Sequence, residues 1–382
     1  MTREDDFLPY SRPLITESDV DAVVEAMRSS MISQGERLRQ FEEAFAARVG
    51  AGWAVALSSG TAALHAACHA AGLGDGDEVI VPALTFAGTA NAVRLNGARP
   101  IFADIDDVSM CISASGVRPL ITERTKAILA VDFAGHPAPY DELRGVCSEH
   151  GLLLLSDSAH APGAQYRGRP VGGGTADIAV FSLNPVKNIT GAEGGVVTGG
   201  DASVRDDVTR FRVHGMTRDP RLLEAPAPAD WYYEQQFLGL NYKLSELHAA
   251  LALSQLRRLD EHNSARRAIA AVYDAELADL PLRLPVVAAD VEHAWHLYVI
   301  RLREPDAERR DELFRYLRAR NLGVQLHYVP VPMHPDYRRD GYTMDGLDNT
   351  NAYFRSALSL PCHQGMTESD ADRVVGAVRS FF

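Results

Sequence analysis

Cysteine is scarce: four occur in 382 residues, Cys68, Cys111, Cys147 and Cys362. None stands in a CxxC pair or at metal-ligand spacing, and Cys68 and Cys147 fall in helical-looking text. Reduced, buried thiols are therefore expected, and neither a metal site nor a disulfide framework is. Positive charge is also short. Against 51 Asp and Glu there are 38 Lys and Arg, a formal net charge of −13. Such a balance argues against nucleic acid or an anionic membrane as the main partner. A few basic groups or helix N-termini can still reverse the potential inside one cleft and hold a small anion. No apolar run approaches membrane-spanning length, and the opening text MTREDDFLPYSRP lacks the apolar stretch of a signal peptide. A soluble, cytoplasmic protein is the expectation. GxGxxG and GxxxxGK[ST] are both missing, so dinucleotide and P-loop chemistry have no support. Internal repeats and low-complexity tracts are absent too.

What is present is ordinary in bulk, with 46% apolar and 23% charged residues. The length implies two domains. Helical spacing marks Val20 to Met27 and the face Leu38, Phe41, Phe45, Ala46. Trp53 to Leu57 then reads as a strand, followed by a helix opening at Ser58-Ser59-Gly60-Thr61. Strands at Glu78 to Pro82, Pro100 to Asp104 and Lys126 to Asp132 alternate with helices at Thr89 to Asn96 and Tyr140 to His150. Alternation of this kind predicts an α/β fold with a mostly parallel central sheet. The Pro-rich text Thr217 to Asp230 reads as a mobile surface loop. A long helix is expected from Ser245 to about Leu277. It carries a boundary between a large domain, residues 1–250, and a smaller α+β domain, residues 251–382. The latter reads as a strand at His296 to Leu302, a helix at Asp306 to Arg320, a strand at Val324 to Tyr328 and a helix at Thr367 to Phe381.

The chemistry gathers between Gly151 and Gly195. Two short apolar runs, Leu152 to Leu155 and Ile178 to Phe181, read as buried parallel strands. The first delivers Asp157 and His160, the second Ser182 and then Lys187. Ligands in open α/β sheets bind outside the carboxyl ends of such strands. Lys187 is the only charged residue between Asp177 and Glu193. A buried lysine has a lowered pKa and becomes a nucleophilic amine, as a Schiff base requires. A carboxylate at a neighbouring strand end, Asp157, suits the pyridinium nitrogen of pyridoxal 5′-phosphate (PLP). Gly60, Thr61 and Ser182 can supply phosphate donors, and Phe86 an apolar plate for the ring.

These residues sit in recognisable phrases: Ser59-Gly60-Thr61-Ala62-Ala63-Leu64, Gly76 to Pro82 with Thr85-Phe86, Asp157 with His160-Ala161, Phe181-Ser182 with Lys187, Glu193-Gly194-Gly195, and Leu240-Asn241-Tyr242. The chain resembles the DegT/DnrJ/StrS family of sugar-nucleotide aminotransferases over nearly its whole length. The resemblance implies PLP fold type I, with Lys187 and Asp157 catalytic. It implies a PLP site of Gly60, Thr61, Phe86, Asp157, His160, Ser182 and Lys187, joined by Asn241 from the other subunit of a homodimer. L-glutamate would be the amino donor and a nucleotide-linked keto sugar the acceptor. Further phrases, Val131 to Gly135, Ser156-Asp157-Ser158, Phe211-Arg212 with His214-Gly215, Leu251 to Leu256 and Leu360 to His363, are similar to the branch acting on UDP-linked 4-keto-6-deoxy sugars in pseudaminic acid synthesis. For the nucleotide sugar, His214, His327 and Tyr328 are candidates, with Ser33-Gln34-Gly35 as a substrate loop. Lys243 stands where the family usually has Arg, and Ser156 where it has an acidic residue. Two alternatives stay open: a dTDP- or GDP-linked 3- or 4-keto sugar or a ketocyclitol as acceptor, and a non-catalytic regulatory protein on the same scaffold.

Overall fold

The structure is a computed structural model that describes residues 7–382. Residues 1–6, part of the opening text read above for a signal peptide, lie outside the described residues. Seven strands form the central sheet: Trp53–Leu57 (β1), Glu78–Pro82 (β2), Arg99–Ala103 (β3), Thr125–Val131 (β4), Leu153–Asp157 (β5), Ile178–Ser182 (β6) and Gly195–Gly199 (β7). Their order is β1-β7-β6-β5-β4-β2-β3. Only β7 runs antiparallel to its neighbours. The strands read as unbroken apolar runs because both sheet faces are covered. Ala54, Ala56, Ile128, Leu154 and Phe181 pack into one layer. The intervening Val55, Leu57, Leu129, Leu155 and Val180 pack into the other.

Helices Glu17–Arg28 (α1), Glu36–Val49 (α2), Gly60–Ala70 (α3), Ala87–Leu95 (α4), Tyr140–His150 (α5) and Ala202–Phe211 (α6) flank or connect these strands. Beyond them lie Glu246–Leu256 (α7) and Leu259–Glu276 (α8), then a three-stranded antiparallel sheet of Leu282–Arg283 (β8), Tyr298–Leu302 (β9) and Ala357–Leu360 (β10). Its core joins Ile269 and Tyr273 of α8 to Tyr298, Leu358 and the C-terminal Val374 and Val378. All four cysteines are buried and free. Among the described residues, no helix is long and apolar enough to cross a membrane.

Two expectations are corrected. The helix expected from Ser245 to Leu277 is broken at Arg257-Arg258. Gln255 and Arg258 turn there to the buried Asp19 of α1, donating to its Oδ2 at 2.8 and 2.5 Å. Val324 to Tyr328 is not a strand; it carries one isolated bridge, Gln325 to Ser359. The place beside β9 belongs to β10, which the sequence reading did not mark. Nor did it mark β7, a short apolar run bracketed by glycines. The stretch Thr217 to Asp230 is the outer part of a hairpin closed by Met216–Thr217 pairing with Glu234–Gln235.

Helix α2 shows how distant residues finish a local element. Its N-cap, Gly35, has no side chain with which to cap. Glu246 of α7, 1% exposed, supplies the acceptor instead. Its carboxylate accepts from the N–H groups of Gly35 (2.8 Å), Arg37 (2.9 Å) and Leu38 (3.1 Å). An anion at a helix N-terminus is doubly favourable there, through hydrogen bonds and the helix dipole. Glu246→Gln is therefore expected to lower the unfolding free energy by about 2 kcal/mol. Urea titration measures this, and a loss below about 0.5 kcal/mol would show the cap to be dispensable.

Candidate active site

The carboxyl ends of β1, β2, β4, β5 and β6 open on one side of the sheet, and antiparallel β7 begins there. Gly195 sits opposite both Leu57 and Ser182. A side chain on Gly195 would meet the Ser59 carbonyl at 2.4 Å, so glycine is required for the turn into α3 to lie over the sheet. A cavity of about 320 Å³ lies at these strand ends. Gly60, Thr61, Phe86, Asp157, His160, Ser182, Lys187, His327 and Tyr328 all line it.

Asp157 ends β5 and is 6% exposed. Its Oδ2 accepts from the Thr89 hydroxyl at 2.7 Å and its Oδ1 from the Ala159 N–H at 3.1 Å. Burial raises its pKa, opposed by those two hydrogen bonds and by the charge of Lys187. For Lys187 the order is the same. Burial lowers the amine, Asp157 opposes this and the buried Arg266 adds to it, and together they bring it down to about 8. Lysine and aspartate thus face one cavity as a coupled pair, each pushed by burial towards its neutral form.

Helix α3 starts at Gly60. Ser59 Oγ takes the Ala62 N–H and the Ser59 carbonyl takes that of Ala63. The N–H groups of Gly60 and Thr61 come before them in the first turn, where a helix has no acceptor of its own to offer. A Cβ on Gly60 would lie 3.1 Å from Ser182 Oγ, so the missing side chain leaves the helix start and that hydroxyl side by side. This donor set matches a phosphate. Phe86 presents a ring that is 59% exposed. His160 Nε2 lies 3.1 Å from the Tyr328 hydroxyl. Its Nδ1 is buried without a hydrogen-bond partner among the described residues. Burial holds His160 well below the ordinary histidine range and His327 at about 3, so both rings are neutral. An amine, a carboxylate, phosphate donors, an exposed ring and one unsatisfied imidazole nitrogen are what a phosphorylated pyridine aldehyde would engage.

Four sequence candidates lie elsewhere in this chain. Ser33 is exposed and bridges to Ser245, while the Gly35 N–H is engaged by Glu246. None of Ser33, Gln34 and Gly35 lines the cavity of its own chain. His214 is exposed in a left-handed turn with φ 65°, its N–H on the Leu240 carbonyl. Asn241 is exposed and bridged to Val213, outside the cavity of its own chain. Sequence reasoning missed Thr89, although Thr85 and Thr89 at i, i+4 carried a signal: their hydroxyls are 2.7 Å apart, behind Asp157. It also missed Tyr10, which lines the cavity with its ring 5.0 Å from that of His327.

The fold and the strand-end site define an α/β enzyme architecture in which a half-buried lysine and a buried aspartate share one cavity. The family model for the DegT/DnrJ/EryC1/StrS aminotransferase family matches residues 13–379, and the chain belongs to that family. It is 39% identical over 377 residues to the spore coat polysaccharide biosynthesis protein SpsC of Bacillus subtilis, covering 98% of this chain and 96% of SpsC. Among solved structures it is similar to Spr1654 from Streptococcus pneumoniae in its PLP form, with a TM-score of 0.92 and 28% identity over 98% of each chain. It is also similar to Helicobacter pylori PseC, an aminotransferase involved in the biosynthesis of pseudaminic acid. There the TM-score is 0.91 with 30% identity, over 98% of this chain and 99% of PseC.

Proposed function

We propose that this chain is a PLP-dependent aminotransferase that moves the amino group of L-glutamate to a UDP-linked 4-keto-6-deoxy sugar, and that two copies share each active site. The observation that carries the reading is the pairing of Lys187, its amine lowered to about 8 by burial, with the buried Asp157 on one cavity. Family membership supports the reaction class, and the likeness to PseC supports the UDP-linked sugar. Glutamate follows from the family resemblance. Asn241, exposed in its own chain, is read as reaching the phosphate site of the partner copy.

When bound, PLP supplies a carbonyl for amine exchange and an electron sink for a carbanion. Lys187, desolvated and partly unprotonated near neutral pH, takes the proton from Cα of the amino donor and later delivers one to the sugar carbon that gains nitrogen. Asp157, kept in place by Thr89 and Ala159, would hold a proton on the pyridine nitrogen. Ser182, Thr61 and the start of α3 would bind the phosphate. Phe86 would offer its exposed ring to the pyridine, and the neutral His160 would offer Nδ1 to the cofactor. His327 and Tyr328, on the same cavity, are read as substrate contacts. Both half-reactions use one site, so ping-pong kinetics are expected.

The test is a panel of UDP-, dTDP- and GDP-linked keto sugars with glutamate, followed by mass spectrometry. Amination of the UDP-linked 4-keto-6-deoxy sugar above the others is the expected result. Activity confined to 3-keto sugars or ketocyclitols would overturn the sugar assignment and leave the aminotransferase standing. Failure of the purified chain to bind PLP would overturn both.

A further inference from the structure

Asn188, the residue after Lys187, is fully buried. Its amide nitrogen donates to Asn263 Oδ1 and to the Ala294 carbonyl, both at 2.7 Å. Its amide oxygen meets His296 Nδ1 at 3.2 Å, and its main-chain carbonyl meets His262 Nδ1 at 2.9 Å. Every role in this network is determined. The Ala294 carbonyl can only accept, so the nitrogen of Asn188 must face it. Asn263 donates its own nitrogen to the Pro162 carbonyl at 3.0 Å, which leaves its oxygen to accept from Asn188. With both amide hydrogens engaged, Asn188 turns its oxygen to His296, and His296 Nδ1 carries the hydrogen. Burial keeps His296 uncharged. It is therefore the neutral Nδ1–H tautomer, and its ring centroid lies 4.3 Å from that of His160.

The other neighbour of Lys187 is tied down as well. The Val186 carbonyl accepts from the buried Ser11 hydroxyl at 2.8 Å. Lys187 thus sits between two anchors made by parts of the chain outside the central sheet. One is the N-terminal arm at Ser11. The other is α8 together with the segment from Ala294 to His296.

We propose that Asn188 is a positioning residue for Lys187: it clamps the lysine loop to α8 and to Ala294, and it holds His296 in one tautomer against His160. The proposal rests on the reading of Lys187 as the activated amine. Loss of the Asn188 amide would free the loop on one side and let more water reach the half-buried lysine. The burial that depresses its proton affinity would then be partly relieved.

The experiment uses the cofactor-free chain, so it does not depend on turnover. Lys187 is acetylated with acetic anhydride across a pH series, and its modification is followed by peptide mass spectrometry. In the wild type, reactivity is expected to rise with a midpoint near 8. Asn188→Ala should move that midpoint upward by about one unit, a tenfold gain in proton affinity. Asn263→Ala, which removes one acceptor and leaves Asn188 in place, should move it the same way by less. A melting temperature that falls in both variants while the midpoint stays at the wild-type value would overturn the proposal, because a purely structural role predicts that pattern. If Asn188→Ala does not fold, Asn263→Ala decides: an unmoved midpoint overturns the clamp. A wild-type midpoint near the ordinary lysine value would overturn the underlying reading of Lys187, and the clamp with it.

Discussion

Lys187→Ala is expected to cut turnover by about 10⁴-fold or more and to abolish the visible absorbance of the covalently held cofactor, with the fold retained. The size follows from two proposed roles lost together, the amine that would carry the cofactor and the base that would move the substrate proton. The fold should survive because this lysine opposes it at neutral pH. Its pKa falls from 10.5 in the unfolded reference to about 8 in the folded chain, chiefly through burial. A base with a depressed folded pKa binds protons more tightly when unfolded, so stability rises with pH across that interval. Its contribution is complete above about 10.5 and is lost as pH falls through 8. The cofactor-free alanine variant should therefore melt no lower than the wild type at pH 7, and any advantage should shrink towards pH 10. Thermal melts at the two pH values check the sign. Retention of more than about a hundredth of the wild-type rate would remove Lys187 from the proton transfer.

Asp157→Asn is expected to lower kcat by about 10²- to 10³-fold with a small change in KM, because it removes charge and little else. The local hydrogen bonds can all be remade. The Ala159 N–H can only donate, so the amide oxygen of the variant must take that side. The new NH₂ then faces the Thr89 hydroxyl, which can accept if its hydrogen turns to the Thr85 oxygen 2.7 Å away. The two contacts of the carboxylate are thus both kept, and the melting temperature should move little. What disappears is the anion that, on the proposed reading, would keep a proton on the ring nitrogen and sustain the electron sink. Steady-state kinetics alongside a melting curve separate the two effects. A drop in kcat smaller than tenfold would show that the carboxylate charge is not needed.

Much of the cofactor cavity was legible because its residues follow directly from strands. Asp157 and Ser182 are the last residues of β5 and β6, and Gly60 and Thr61 open the helix after β1. An unbroken apolar run ending in a polar residue is a local signal, visible without knowing any neighbour. Lys187 was legible for a related reason, as a lone charge in apolar text. Illegible were the residues that hold these groups in place. Thr89 reaches Asp157 across 68 positions and Asn188 reaches Ala294 across 106. No spacing rule encodes such contacts. Val324 to Tyr328 misled because its alternation fits a strand, whereas only Gln325 pairs, with Ser359 on the edge of Ala357–Leu360. The cap that Glu246 places on the Ser33-Gln34-Gly35 break was not legible either, since it comes from 211 positions away.

By itself, then, the sequence determined the apolar strands, the turn into α3, the lone lysine and the acidic strand end, since each depends on chain neighbours and on short-range periodicity. Tertiary structure decided how strongly those groups are perturbed and what confines them. The depressed amine of Lys187, the raised carboxyl of Asp157 and the fixed tautomer of His296 all arise from burial and from hydrogen bonds between distant segments. Desolvation and long-range pairing are properties of the packed chain, and only the folded arrangement sets them.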